Sequence, residues 1–417
     1  MGGAVSYLTN LLRHLPPPAS GHQFLVILPP RTAEEQKDLA PNIKLFPTAV
    51  GDAGGWKRFW WDQVTLRRFL KQEKADALFS TANFGMLRCP VAEILLIQNA
   101  LYFSPAYEEM LLSKHGLKRR IAFKLRRWLI CRSVKNAGSV IVPTQALLDA
   151  LRSYTDVPAG KAFVSPYGIS APRADRSSDR EPGAGPTVQL LYVSLYTEHK
   201  NLRTLLEALP LVNGEPEHRF ILTTTVNPTW PGAAWTLTWK GDLELSRRPE
   251  VAPWVKFVGP LASEQTRQLY AGADIFVFPS LVESFGYPMV EAMAAGLPIV
   301  AADTPTNREI CGQAAVYFSP LSPEDLAQQI QRLAADTSRR AQMRAAGRAR
   351  AATHFRWEQH VRRLLERVEA LARDTVASDP GALEGSSSAA SSPCASATID
   401  LEARPSASLN GLGMERK

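Results

Sequence analysis

The sequence predicts an α/β protein of two domains, each a doubly wound parallel sheet with helices on both faces. Three observations carry that expectation. Short apolar, β-branched runs recur between longer helical stretches, which is how strands alternating with crossover helices read. The 417 residues exceed what a single hydrophobic core normally serves. Near the middle, Arg173 to Pro186 (RADRSSDREPGAGP) is almost free of apolar groups, as a linker between domains is.

The expected strands are 24–28, 77–79, 93–97 and 139–142 before the linker, and 190–193, 220–224, 275–278 and 299–302 after it. The domains therefore run 1–172 and 187–354, with the linker at 173–186. Residues 355–375 place Leu364, Leu365, Val368 and Leu371 at helical spacing, so a docked C-terminal helix is expected. From 378 to 417 the composition falls to Ser, Ala, Gly and Pro, too few large apolar groups to offset the entropy of ordering; a disordered tail is expected there. At the start, Gly2 and Gly3 lead at once into a helical pattern of Val5, Leu8, Leu11 and Leu12. Such a turn normally follows a strand. The first strand of the N-terminal sheet is missing from the sequence, and we expect it to be encoded upstream.

Hydrophobic residues make up 45% and charged residues 21%, a balance that excludes a disordered or fibrous chain. The net charge of +8 favours anionic partners such as phosphates, nucleic acid or acidic lipid headgroups, without choosing among them. Cys89, Cys131, Cys311 and Cys394 form no CxxC pair and have no His at zinc-ligand spacing, which implies a reducing, cytoplasmic location and no structural metal. No run of 18 apolar residues and no basic-then-apolar leader is visible.

The informative stretch is 275–303, IFVFPSLVESFGYPMVEAMAAGLPIVAAD. A buried strand ends at Pro279 and Ser280, and a loop carries Glu283. Gly286 removes a side chain, and Pro288 suits a first helical turn. Gly296 and Pro298 stop the helix before the next strand. In a parallel sheet such a helix points free N–H groups, here those of Tyr287, Met289 and Val290, at the crevice beyond the strand ends, where a phosphate is held without a cation. Glu283 and Glu291 both face that crevice in this reading. The plainer alternative makes them a solvated loop residue and a surface helix residue.

This stretch resembles the donor-sugar signature of retaining GT-B glycosyltransferases of the GT4 family (glycosyl transferases group 1), two glutamates separated by seven residues around a GFG-like turn. The resemblance extends from Gly2 to about Ala372 through GGAVSY, VIVPTQAL, VSPYGIS, HKNLRTLLEAL and FVGPLASEQTRQLYAGADIFVFPS. It implies two Rossmann-like domains facing a central cleft, with a nucleotide-sugar bound by the second, an acceptor glycan or lipid-linked glycan by the first, and a last helix crossing back. By position, Glu283 is similar to the residue contacting the donor sugar and Glu291 to the one binding the ribose hydroxyls. Backbone groups of Phe285, Gly286 and Tyr287 correspond to the lining of the sugar and diphosphate, with Ser284 where the family has Gly. Lys200 matches the lysine that neutralises the diphosphate, His199 beside it is placed to touch phosphate, and Gly2 and Gly3 match the turn approaching the donor phosphates. Two positions depart from the pattern. Ser194 and Leu195 stand where a Gly-Arg pair is common, so Arg203 or Lys256 would have to replace that charge. Gln98 and Asn99 stand on the acceptor side in place of His-Asp, and neither can shuttle a proton near neutral pH.

What the resemblance implies chemically is front-face transfer with retention, the leaving phosphate itself taking the acceptor's proton. No DxD lies at a strand end, so metal independence is expected, with no cofactor beyond the donor. Other readings are a sugar-nucleotide-binding scaffold that has lost catalysis and a GT-B-like sugar-nucleotide epimerase. A phosphorylase would be much longer, and a Rossmann dehydrogenase lacks its GxGxxG after a strand.

Residues 114–135 hold nine Lys/Arg, His115 and no acidic residue, with Leu117, Ile121, Leu125, Trp128 and Leu129 at helical spacing. This is either a basic amphipathic helix on anionic membrane or a helix whose stripe packs into the core. Trp56 to Trp61 (WKRFWW) mixes aromatics with base but has no nucleic-acid motif beside it; no nucleic-acid partner is expected.

Overall fold

The computed structural model describes residues 3–36, 38–81, 83–169, 187–214, 218–227, 236–377 and 396–400. Six strands precede the linker: β1 (Gln23–Leu28), β2 (Ile43–Pro47), β3 (Ala77–Ser80), β4 (Ala92–Leu96), β5 (Ser139–Val142) and β6 (Ala162–Val164). Six follow it: β7 (Thr187–Tyr192), β8 (Arg219–Thr224), β9 (Val255–Phe257), β10 (Ile275–Phe278), β11 (Ile299–Ala302) and β12 (Ala315–Phe318). A last strand, β13 (Ser396–Asp400), lies near the end of the chain. Every pairing is parallel, and the two sheets run β2-β1-β13-β3-β4-β5-β6 and β12-β11-β10-β7-β8-β9.

Burial explains which strands a sequence reveals. β3, β4, β5, β10 and β11 are buried along their whole length, which demands the largely apolar runs seen in the sequence; the polar exceptions, Ser80, Glu93 and Ser139, are hydrogen-bonded, Ser80 to Glu93 and Ser139 to the Lys161 carbonyl. The strands without such runs, β2, β6, β9 and β12, are the four sheet edges. There the side chains are only half covered, and residues such as Lys44 and Lys256 interrupt the hydrophobic pattern.

β13 corrects one expectation. The tail is not irregular throughout, because Ser396–Asp400 pairs on one side with β1 and on the other with β3, Thr398 standing between Leu25 and Leu78. The centre of the first sheet is therefore not vacant. Without β13, β1 and β3 would each present a row of unpaired N–H and C=O groups in the middle of a sheet. A short segment with Thr and Ile meets that demand although its neighbours are poor in apolar groups. The linker and the rest of the tail lie outside the described residues.

The last helix, Trp357–Ala377, returns to the first helix, Gly3–His14, and one polar contact at its start joins three parts of the chain. Nδ1 of His360 lies 2.8 Å from the Ser165 hydroxyl and 3.2 Å from the Ser165 carbonyl, and Nε2 lies 2.9 Å from the Tyr7 hydroxyl. The ring is fully buried and neutral, burial pushing its pKa down to about 4. Tyr7, Tyr167 and Trp357 pack around it with centroids 4.8 to 6.4 Å apart. Gly168 follows Tyr167, and a Cβ there would fall on the backbone of Trp357, so only glycine lets this segment reach the last helix.

Two outcomes are expected. Deleting residues 396–417 should lower the melting temperature by roughly 5 °C and speed amide exchange in β1 and β3; an unchanged melt with protected strands would contradict the pairing. The second concerns pH. The unfolded chain protonates His360 below about 6.5 while the folded chain resists until about 4, so this stability is present above pH 6.5 and is lost as pH falls. Denaturant unfolding at pH 7.5 and 5 should show wild type losing about 2 kcal/mol more than His360→Gln. Equal losses would mean that the ring is not held neutral.

Candidate active site

The second sheet reverses its order between β10 and β7, so chain connections leave these neighbouring strands in opposite directions and a crevice opens beyond their carboxyl ends. The segment after β7 carries His199 and Lys200, and the segment after β10 carries Glu283 to Gly286. Lys200 Nζ donates to Glu283 Oε1 at 2.5 Å, with the two side chains only 21% and 10% exposed. The structure thus brings together, across the switch point, two residues that lie 83 positions apart in sequence.

Several contacts hold that geometry. Asn201 adopts φ 55°, a left-handed conformation that Asn tolerates, and its Nδ2 donates to the Pro279 carbonyl at 3.1 Å. The Leu281 N–H donates to the His199 carbonyl at 2.9 Å, and the Tyr192 hydroxyl to the Lys200 carbonyl at 2.9 Å. From the next helix, Pro305–Cys311, Thr306 Oγ1 donates to the Glu283 carbonyl at 3.1 Å. Gly286 sits at φ 85°, a conformation that favours glycine, and a Cβ there would lie 2.5 Å from the Met289 methyl, which would have to swing aside.

The helix Tyr287–Ala294 begins directly after that turn. Its Met289 N–H is not free, because it donates to the Gly286 carbonyl at 3.0 Å; the expectation that this amide faces the crevice is corrected. Glu291 is half-buried and accepts from the Tyr270 hydroxyl at 2.9 Å. Burial raises its pKa, with the Tyr270 hydrogen bond opposing the shift. The Phe285 and Tyr287 rings turn toward Tyr167, at 5.0 and 5.5 Å, so their side chains line the junction between domains. Desolvation, and Lys200 as the smaller cause, push the His199 pKa down to about 3. Its ring meets Tyr107 edge-on at 6.4 Å, so it is a neutral neighbour of the cation and not a second charge.

On the first domain, Gln98 Nε2 donates to the Thr81 carbonyl at 2.6 Å, and Asn99 Oδ1 accepts from the Leu101 N–H at 3.1 Å. Both side chains are committed to shaping their own loop. Gly3 opens the first helix, and Gly2 lies outside the described residues. Arg203 is engaged with Glu207 at 2.9 Å and Asp242 at 3.4 Å, and Lys256 lies on the far edge strand, so neither replaces the absent arginine. Leu195 is exposed.

Residues that the sequence reading passed over bridge the domains. Thr144 Oγ1 donates to the Ser284 carbonyl at 2.9 Å, and the Glu309 carboxylate accepts the Gln145 and Ala146 N–H groups at 2.7 Å each. That carboxylate sits at the positive end of the helix Gln145–Arg152. His115 and Glu198 pair at 3.1 Å, almost fully buried. Thr144 was recognisable as a helix N-cap, but its second bond to another domain has no local signal. Among the described residues no group of three or more His, Cys, Asp or Glu is placed to hold a metal ion, and no helix is long and apolar enough to cross a membrane.

Known proteins fit this arrangement. Residues 1–173 match the family model described as Glycosyltransferase Family 4, and residues 187–336 match Glycosyl transferases group 1. O-antigen chain mannosyltransferase B of Escherichia coli is 31% identical over 40% of this chain and 42% of its own length. A D-inositol 3-phosphate glycosyltransferase of Corynebacterium kroppenstedtii is 28% identical over 57% of this chain and 54% of its own. The chain thus spans about half the length of the curated relatives it matches. In fold, a glycosyltransferase from Rickettsia africae superposes with a TM-score of 0.66 at 15% identity, covering 89% of this chain and 96% of the other. Anabaena HepE in complex with UDP and glucose gives 0.64 at 19% identity, covering 89% and 96%. Matched on both sides of its linker, and built on the two-sheet GT-B fold of solved glycosyltransferases, the chain belongs to the family 4 glycosyltransferases.

Proposed function

We propose that this chain transfers a hexose from a nucleoside-diphosphate sugar to a glycan or lipid-linked glycan, with retention of anomeric configuration, without a divalent metal and with no cofactor beyond the donor. The observation that carries the reading is the Lys200–Glu283 pair at the switch-point crevice, beside a helix N-terminus. An ammonium held there is where a diphosphate would be met, and a carboxylate 2.5 Å away is where the attached sugar would lie. Donor binding exchanges that pair for phosphate on Lys200 and sugar hydroxyls on Glu283. Glu291, one turn further into the helix, then accepts from the ribose hydroxyls with the oxygen that Tyr270 leaves open.

In the reaction the bond from the anomeric carbon to the phosphate oxygen breaks and a bond to the acceptor oxygen forms on the same face. The acceptor proton passes to the departing phosphate oxygen. Lys200 and the helix beginning at Tyr287 stabilise the charge that grows on the diphosphate. Gln98 and Asn99, committed to their own loop, are consistent with no protein base on the acceptor side. The family membership and the mannosyltransferase among its relatives support a role in polysaccharide synthesis. The three described cysteines are free, in keeping with a cytoplasmic location.

One observation favours the scaffold reading: Leu195 occupies the place of a phosphate-binding arginine, and neither Arg203 nor Lys256 takes over. A single experiment separates the two. Thermal shifts with UDP-, GDP- and ADP-sugars identify the donor, since a ligand bound only by the folded state raises the melting temperature. With that donor, Lys200→Met should lose the shift and at least about 100-fold in turnover, whereas Glu283→Gln should keep nucleotide binding and lose turnover. Product from wild type should retain the donor's anomeric configuration in chelator. Binding without any turnover would leave a scaffold, and activity lost in chelator but restored by Mn²⁺ would overturn metal independence.

A further inference from the structure

The basic segment folds as the helix Leu117–Asn136, and its apolar stripe is not core. Leu117, Ile121, Leu125 and Trp128 are 68%, 57%, 55% and 61% exposed, and their spacing sets them on one face. The inward face is made by other residues. Ile130 and Val134 are buried with Leu95, Val140 and Leu148, while Phe123 packs on Tyr102 and Tyr107 at 4.9 and 5.6 Å. The reading of the stripe as a packing face is corrected, Leu129 alone being half-buried. At about 100° per residue, the exposed Lys118, Arg120, Lys124, Arg132 and Lys135 all fall within or beside the stripe. The helix itself contains no acidic residue. Glu108 pairs with Arg127, which lies between the stripe and the inward face.

We infer that this face docks on an anionic lipid bilayer. Four large apolar groups in a row on the surface of a soluble fold are costly unless covered. Insertion to the headgroup–acyl boundary covers them, with Trp128 at the interface and the flanking ammonium and guanidinium groups among lipid phosphates. A second copy of the same face would bring two sets of cations together. A nucleic acid would meet the cations but leave Leu117, Ile121 and Leu125 in water. The position of the helix adds a consequence. It begins two residues after His115, which pairs with Glu198 of the other domain, and its Phe123 shares an apolar cluster with Tyr107, Leu111 and Val282. Docking therefore sets the mouth of the cleft at the bilayer surface, where an acceptor carried on lipid would arrive. The surface is inferred from the helix alone and does not depend on the transferase reading.

The test uses the full chain and sedimentation with vesicles of phosphatidylglycerol and phosphatidylcholine, against phosphatidylcholine alone. Binding is expected only to the mixed vesicles, weakened at about 1 M salt. The variants Ile121→Asp/Leu125→Asp/Trp128→Asp and Lys118→Glu/Lys124→Glu/Arg132→Glu should each lose at least about tenfold in partitioning with unchanged melting temperatures. Equal binding to phosphatidylcholine alone, or undiminished binding by either variant, overturns the inference. So does a dimer in sedimentation velocity that the apolar variant abolishes while vesicle binding is absent in wild type.

Discussion

A lysine and a glutamate can stand 2.5 Å apart, mostly shielded from water, only if two loops from neighbouring strands are pinned against each other. Lys200 and Glu283 impose that constraint on the second domain. The left-handed turn at Asn201, the Leu281 amide on the His199 carbonyl and Thr306 under Glu283 all serve to hold the loops at that separation. Removing one partner would leave a partly desolvated charge without its counterion, which is more expensive than the pair itself is stabilising. A ligand that offers both a dianionic diphosphate and sugar hydroxyls can replace both partners together. The proposed donor site is in this sense occupied by its own side chains.

Much of this was legible from residue order, and the reason is burial. Strands buried on both faces are largely apolar, so β5, β10 and β11 are readable to the residue, and the glycine at 286 and proline at 288 mark the turn that follows. Edge strands carry mixed side chains because half of each faces solvent, and β2, β6, β9 and β12 leave no such trace. β13 was hidden for another reason: what calls it into the sheet is a pair of open edges contributed by residues more than 300 positions earlier. The site followed the same division. Glu283 and Glu291 stood out because a strand, a turn and a helix start surround them, and Lys200 by its match to the family lysine. Thr144 and Glu309 did not, since their partners belong to the other domain and no local pattern encodes them.

Polar and apolar contacts both join the domains. The Thr144 bond to Ser284, the Glu309 cap on the helix Gln145–Arg152 and the His115–Glu198 pair close the cleft side, while the Tyr7–His360–Ser165 contact joins the domains at the back through the last helix. Polar bonds of this kind exchange with water at little net cost, unlike the packed aromatic cluster around Tyr167. The front of the cleft holds both kinds, since Val282 packs there with Tyr107, Leu111 and Phe123. The exposed basic helix lies at the front, so anything it binds is presented to the opening.

The most direct measurement is a crystal structure of the chain with a nucleoside-diphosphate sugar that it binds. The account requires Lys200 Nζ to have left Glu283 for a diphosphate oxygen, with Glu283 on the sugar and Glu291 on the ribose. A diphosphate bound elsewhere on the chain, with the Lys200–Glu283 pair intact, would contradict it.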